Sequence, residues 1–430
     1  ILESRNFYLM PLLPHLAAFE SRDFRYIWGA NALGGASTWT FLIASQWYVL
    51  SESDKSLLVG LFTFASMLPY LLVSPIGGIL ADRTERKKLT AITQAGITIS
   101  IVTSVILSLF GVLNLWNLCI LAFAAGCFRS TQESALVSLV TNVVPKKTLL
   151  NAITLNSATR HGSRVIGMGL LLMTRVPLGE GLDITQFLLA SSLLGAISLI
   201  LIIRVRKRST GESLPETGLI RGMLEGVKFI YTKHEVGIFI ILVAFHCALV
   251  MSFDSILPVL TRDSLGSGDE FLLALLVLSF GGGAAIGTFL LAGVRNEAGK
   301  GRLLLLTGIV SSVSPIALGL SSDISISFIA SFLMGASQST FMALTITYVQ
   351  LATPDQYRGR VSSLYILHAG GIMAFANLGY GELADTFTAP IVLVITGGLF
   401  LIVFSSIGIW DKVLRKTMAG KYQILNPDPN

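Results

Sequence analysis

Residues 78–89 read Gly-Ile-Leu-Ala-Asp-Arg-Thr-Glu-Arg-Lys-Lys-Leu and separate two apolar runs, 57–80 and 90–113. Asp82 and Glu85 share this joint with four basic residues, Arg83, Arg86, Lys87 and Lys88. A joint that short between apolar helices is a tight helical hairpin at a membrane face. Its basic residues put that face in the cytoplasm. Gly78 lets the two helices approach closely, and Asp82 suits the positive end of a neighbouring helix.

The rest of the chain extends this reading. Of its 430 residues, 53% are hydrophobic and 13% charged, against roughly a quarter charged in soluble domains. The chain is therefore a polytopic membrane protein, and its net charge of +6 does not point to nucleic acid. Of the 31 Lys and Arg, only Lys55, Arg175 and Arg262 fall in segments on the outer side, and Arg129, Arg160 and Arg164 fall within spans. The others are cytoplasmic, which puts both termini in the cytoplasm and the protein in the cell (inner) membrane. Cys119, Cys127 and Cys247 lie in apolar stretches and fit neither a metal spacing nor a disulfide framework. No metal or other cofactor is expected. The first twenty residues are too short and too proline-broken to span, and read as an interfacial segment rather than a signal peptide.

A span needs about 20 apolar residues. That window gives twelve: 23–50, 57–81, 88–111, 115–140, 149–175, 184–205, 235–260, 270–294, 302–320, 324–350, 358–384 and 388–411. The expected class is all-α, with twelve transmembrane helices in two pseudo-symmetric six-helix bundles. The expected organisation is an N-terminal segment 1–21, a first bundle 22–207, a cytoplasmic linker 208–234, a second bundle 235–411 and a tail 412–430. In the linker Leu219, Ile220, Met223, Leu224, Val227, Ile230 and Tyr231 recur at helical spacing, as in an amphipathic surface helix.

The two halves read as repeats. Residues 126–155 align with 335–364 at constant offset: Gly126 falls on Gly335, Ser130-Thr131 on Ser339-Thr340, Val140 on Val349 and Pro145 on Pro354. Arg129 falls on Gln338, so the second half keeps a polar group without the charge. The same offset carries Gly78 onto Gly287. Parallel six-span repeats put a solute site at their interface near midplane.

The joint at 78–89 resembles the loop between helices two and three of the major facilitator superfamily, G-x-L-x-D-R-x-G-R-[KR]. Gly78, Leu80, Asp82, Arg83, Arg86 and Lys87 match, and Glu85 stands at the second glycine. The stretch 349–355 (Val-Gln-Leu-Ala-Thr-Pro-Asp) with Arg358-Gly359-Arg360-Val361, the Leu257-Pro258-Val259 run, and Asn156-Ser157-Ala158 with Arg164-Val165-Ile166-Gly167 are similar to the macrolide-efflux and enterobactin-exporter branch. In its fifth span this chain has Met168 after Gly167, where exporters usually carry proline. The resemblance covers 22–411. It implies a conformational latch at Gly78, Asp82, Arg83 and Arg86, with spans three, six, nine and twelve outermost and one, four, seven and ten lining a cavity.

Ionisable groups in hydrocarbon are expensive and face protein or water. The centres of spans three, six, nine and twelve have none. Span four has Arg129 and Glu133, one turn apart; span five has Arg160, His161 and Arg164; span seven has His246 and Asp254; span eleven has His368. At about 1.5 Å per residue, Arg129 and Arg160 both lie roughly 16 Å from the cytoplasmic ends of their helices. Three arginines thus converge on one carboxylate, either as an ion-pair lock or as an anion site. Asn31, Trp39 and Gln46 share one face of span one, as a cavity wall or a packing stripe. Gln338 completes the candidate substrate and coupling residues. Glu133 is the candidate coupling carboxylate, and Glu382 and Asp385, near the outer end of span eleven, read as solvated. No Walker loop or hydrolytic constellation is present, so the chain is not read as an enzyme.

These readings, with the branch resemblance, imply a secondary transporter working by alternating access. The expected form is a monomeric antiporter in the lipid bilayer. Its proton-driven substrate would be an amphipathic small molecule, a drug or siderophore, and an anionic one if the arginine surplus stands. An importer or facilitator of a small polar solute and a lysophospholipid flippase are the alternatives.

Overall fold

The computed structural model describes residues 14–420 apart from 75, 78, 79, 81–83, 146, 147, 149–151, 153, 154, 157, 158, 160, 161, 170–182, 208–218, 266–269 and 295. The first half comprises α1 (Arg22–Ser53), α2 (Ser56–Leu72), α3 (Arg86–Leu109), α4 (Leu115–Val143), α5 (162–169) and α6 (Ile184–Arg204). The linker helix α7 (Leu219–Thr232) leads to α8 (His234–His246), α9 (Glu270–Ala292), α10 (Glu297–Leu320), α11 (Ile324–Leu351), α12 (Asp355–Ile366), α13 (Ile372–Phe387), α14 (Ala389–Trp410) and α15 (Lys412–Met418).

The internal repeat is visible in which helices touch. In the first half α2 packs on α4, α3 on α4 and α3 on α6. In the second half α9 packs on α11, α10 on α11 and α10 on α14. The repeated glycines have a shared cause. A Cβ at Gly126 would stand 2.5 Å from the Ser66 carbonyl oxygen of α2, and one at Gly335 would stand 1.9 Å from that of Phe280 on α9. Small residues let membrane helices meet backbone to backbone, where dispersion contacts are densest. Gly78 lies outside the described residues, but its repeat partner Gly287 is packed in the same manner, 2.4 Å from the Ala336 oxygen at its Cβ position.

Seven helices among the described residues are long and apolar enough to cross a membrane by themselves, including α3, α6, α10 and α14. These four, the third, sixth, ninth and twelfth spans, present exposed apolar stripes. Ile92, Ile99 and Ile106 form one on α3; Leu189, Leu193, Ile197 and Ile200 form another on α6; Ile391, Ile395, Leu399 and Ile402 form a third on α14. Exposed stripes of that extent belong against lipid. α1 and α4 are longer but fall outside the seven, because they carry the polar side chains described below.

Span seven, expected as one helix, is broken. After α8 come a π turn (Cys247–Met251), a 3-10 turn (Ser252–Ser255), a short turn (Leu257–Val259) and a second π turn (Leu260–Ser264). Pro258 has no N–H to donate, and wider turns leave carbonyls for side chains to claim. Gln338 Nε2 donates to the Val250 carbonyl at 2.9 Å, Tyr380 Oη donates to that of Leu249, and Ser252 Oγ donates to that of Cys247 at 2.8 Å. Span eleven is broken likewise at Leu367–Gly371, where Gly370 and Gly371 sit against Tyr70 and Leu71 of α2.

The linker helix packs on the second bundle. Ile230 is buried, Phe229 stacks on Tyr357 at 4.6 Å, and Tyr231 reaches His368 in span eleven. The linker end of the molecule is called here the linker face, and the opposite end the far face.

Candidate functional site

The two bundles meet along α2 and α13 and, at midplane, where α5 and α1 face span seven and α9. Arg164 is the centre of that second contact. Its guanidinium lies 3.5 Å from the centre of the Trp39 ring and 4.7 Å from that of Phe280, one ring from each bundle. Cations stack favourably on aromatic faces, more so away from water. Arg164 Nη2 donates to Asp254 Oδ2 at 3.2 Å and Nη1 to Oδ1 at 3.4 Å. The pair joins the first bundle to the second, with side chains only 8% and 15% exposed. The Nε of Arg164 is buried without an acceptor among the described residues.

A second cluster sits beside it. Arg129 lies 5.5 Å from the same Trp39 ring and 6.0 Å from Tyr70, and its Nε is 3.8 Å from Glu133 Oε1. Tyr70 Oη donates to that carboxylate at 2.7 Å. Gln132 donates to Gln94 at 3.0 Å, tying α4 to α3. Between the clusters a cavity of about 30 Å³ is walled by Trp39, Gln46, Tyr70, Arg129, Asp254 and Leu273. It has room for one or two waters.

The expected residues divide accordingly. Trp39, Gln46, Arg129, Glu133, Arg164 and Asp254 converge at the interface. Gln46 donates to Thr63 of α2 at 3.0 Å. Asn31 lies nearer the linker face, where its amide donates to Asn156 Oδ1 at 2.8 Å. Gln338 braces the π turn of span seven rather than facing the cavity. His246 is fully buried within the second bundle, stacked on Phe341 at 4.4 Å and edge-on to Phe400 at 5.1 Å, with no partner on either ring nitrogen among the described residues. His368 Nδ1 donates to the Leu364 carbonyl at 2.7 Å, and its Nε2 hydrogen-bonds with Tyr231 Oη at 3.1 Å. Arg160, Gly78, Asp82 and Arg83 lie outside the described residues; Arg86 opens α3.

One expectation is corrected. Three arginines were to share Glu133, but the structure gives Arg164 its own carboxylate, Asp254, from the other bundle. The pairing was hidden because it depends on how the broken span seven turns. Tyr70 and Phe280 were also missed; their only signal was an aromatic at an interface-facing position in an apolar run.

At the far face further polar contacts clasp the bundles. Asp54 ends α1 in the left-handed conformation, φ 54°, and pairs with Arg262 at 2.7 Å. Asp385 of α13, expected to be merely solvated, accepts from the backbone N–H groups of Ser56 and Leu57 at 2.7 and 2.9 Å, capping the start of α2. Glycines allow this approach: a Cβ at Gly381 would be 2.5 Å from the Ser56 oxygen, and one at Gly60 2.7 Å from that of Asn377.

Residues 14–421 match the family model described as transmembrane secretion effector. The chain belongs to this family of major facilitator transporters. Among relatives, macrolide efflux protein A of Streptococcus pyogenes is 23% identical over 370 residues, covering 82% of this chain and 86% of that protein. The staphyloferrin A transporter of Staphylococcus aureus is 22% identical over 370 residues, covering 84% and 90%. The transporter also superposes on a bacterial homologue of the human lysosomal transporter Spinster, solved inward-facing and unoccupied, with TM-score 0.68 at 15% identity over 95% of this chain and 99% of that one. It is a multi-pass membrane transporter.

Proposed function

We propose that this transporter exports amphipathic organic compounds in exchange for entering protons, as a monomer, with the linker face in the cytoplasm. The observation that carries the reading is the Arg164–Asp254 pair, which ties one bundle to the other at the wall of the midplane cavity. With Asp254 ionised, each charge is the other's partner. A proton on Asp254 removes one charge and leaves Arg164 to find another acceptor, which is costly for a buried cation. Proton and substrate thus alternate at the same pair, and the bundles rock as the tie is made or released.

The cavity is far smaller than the roughly 300 Å³ or more that a drug-sized ligand needs. Loading therefore requires the bundles to part. The far face is clasped by Asp54, Arg262 and Asp385, so parting at the linker face comes first, and the loop of Gly78, Asp82, Arg83 and Arg86 latches that face in the opposite state. Export is further supported by relatives named for macrolide efflux and staphyloferrin A transport.

The test is transport of a substrate panel in proteoliposomes, with and without an imposed pH gradient, for the natural chain and for Asp254→Asn. The expected result is gradient-driven accumulation by the natural chain and gradient-independent exchange by the variant. Accumulation by Asp254→Asn that still follows the gradient would remove Asp254 from coupling. Indifference of the natural chain to the gradient would remove proton coupling altogether.

A further inference from the structure

Between the midplane and the far face lies a second cavity, of about 260 Å³. Its walls are Trp47 and Tyr48 of α1, Met168 of α5 and Phe187 of α6, with Glu52 and Asp183 at its rim. Leu273 and Ala274 of α9 close it from the second bundle, so it too lies between the bundles. Ile43 and Leu273 line both this cavity and the midplane one, and are the wall between them. The two spaces are therefore adjacent, with Ile43 and Leu273 between them.

The wall chemistry selects a ligand. Three aromatic rings and a thioether offer polarizable faces, which attract cations and apolar bodies alike. Among the described residues, the charged side chains lining the cavity are both carboxylates. Thr185 Oγ1 donates to Asp183 Oδ2 at 2.6 Å, which holds that carboxylate, and Tyr48 Oη donates to the Leu113 carbonyl at 3.1 Å, which fixes the ring. An anion would meet repulsion here, and a small polar solute would leave the rings uncovered.

We infer that this far-face cavity is an exit subsite for amphipathic organic cations, reached from the midplane cavity when Ile43 and Leu273 separate. Its place as an exit rests on the export reading above, whereas its preference for cations rests on its walls alone. The cation's charge sits at the Glu52–Asp183 rim while its apolar body lies against Trp47 and Phe187. When Asp254 takes up its proton, the charge of Arg164 beside the midplane compartment is no longer balanced and favours release outward over return.

The experiment is equilibrium dialysis of the purified full chain in detergent, using tetraphenylphosphonium and its anionic isostere tetraphenylborate. The Glu52→Gln/Asp183→Asn double variant is expected to weaken tetraphenylphosphonium about fivefold, the scale of one or two exposed charge contacts, while tetraphenylborate holds or tightens. Phe187→Ala should weaken both. In a background lacking Cys119, Cys127 and Cys247, tetraphenylphosphonium should also protect the thiol introduced by Ala274→Cys from alkylation. A cation-to-anion ratio unchanged in the double variant, or an unprotected thiol, overturns the subsite. If the double variant is not monodisperse, Glu52→Gln alone should still move the ratio about twofold, and a flat ratio has the same force. Dialysis needs neither gradient nor direction. A preserved charge preference with failed gradient-driven transport therefore overturns the export reading alone, and the reverse outcome overturns the subsite alone.

Discussion

Replacing Asp254 by Asn leaves Arg164 charged, buried and short of its carboxylate. At 3.2 Å and an effective dielectric of about 20, the gross Coulomb attraction of the pair is about 5 kcal/mol. Most of that offsets the desolvation of two side chains that are 8% and 15% exposed. Removing one partner of such a pair costs about 3–5 kcal/mol, because the other charge stays behind. The Trp39 and Phe280 rings, at 3.5 and 4.7 Å, still hold the guanidinium; cation–π contacts of up to about 2 kcal/mol put Asp254→Asn at the lower end of that range, about 3 kcal/mol. Arg164→Met strands Asp254 and also gives up the stacking, so it should cost about 4 kcal/mol. The double variant strands neither charge and should recover about 2–3 kcal/mol relative to the sum of the two. Equilibrium unfolding in mixed detergent micelles, run on all four chains, measures the cycle. Additive single effects, with coupling under about 0.5 kcal/mol, would refute the pair as an energetic tie between the bundles.

Other outcomes follow from the same geometry. Asp385→Ala removes the cap on α2 and, at about 1 kcal/mol for a lost cap, should open the far face about fivefold more often, read as longer distances between spin labels at residues 57 and 383. Unchanged label distances would show that the clasp does not hold this face. Gly381→Ala places a methyl where the Ser56 carbonyl oxygen is 2.5 Å away; cross-linking between the far ends of α2 and α13 should fall sharply, and retained cross-linking would contradict the backbone contact. Glu133→Gln keeps a group that accepts from Tyr70, so it should preserve gradient-driven transport while lowering thermal stability modestly; loss of the pH response in this variant would return coupling to Glu133.

Much of the architecture could be read from composition and spacing, because a bilayer leaves the backbone few choices. The apolar windows match seven helices that among the described residues are long and apolar enough to span, and the charge-free centres of spans three, six, nine and twelve agree with the exposed stripes on α3, α6, α10 and α14; the turn of the basic joint, residues 81–83, lies outside the described residues. The alignment of Gly126 with Gly335 has a packing cause that sequence alone suggested but could not supply. The site was half legible. Arg129 and Glu133 are one turn apart on a regular helix, so their pairing follows from helix geometry. Arg164 and Asp254 are ninety positions apart, on elements whose mutual facing is set by the meeting of two bundles. His246 and Asp254 looked like companions on one helix and are not, since the turns between them are not α-helical. Asp385 was misread for a simpler reason: a carboxylate at a helix end looks solvated unless the helix start that it caps is known.

The π turn at Cys247–Met251 makes span seven a helix in two phases. An α-helix advances about 100° per residue, so one extra residue in a turn rotates everything beyond it by that amount. The part nearer the linker is anchored by His246 between Phe341 and Phe400, and the part beyond presents Asp254 to the other bundle. Which group confronts Arg164 therefore depends on how many residues separate 246 from 254, as well as on what those residues are. Gain or loss of a single residue in 247–251 re-aims the midplane carboxylate while every side chain of the site keeps its identity. In this fold the spacing of a helix acts as a dial on polarity at the interface, and aligned positions alone do not record its setting.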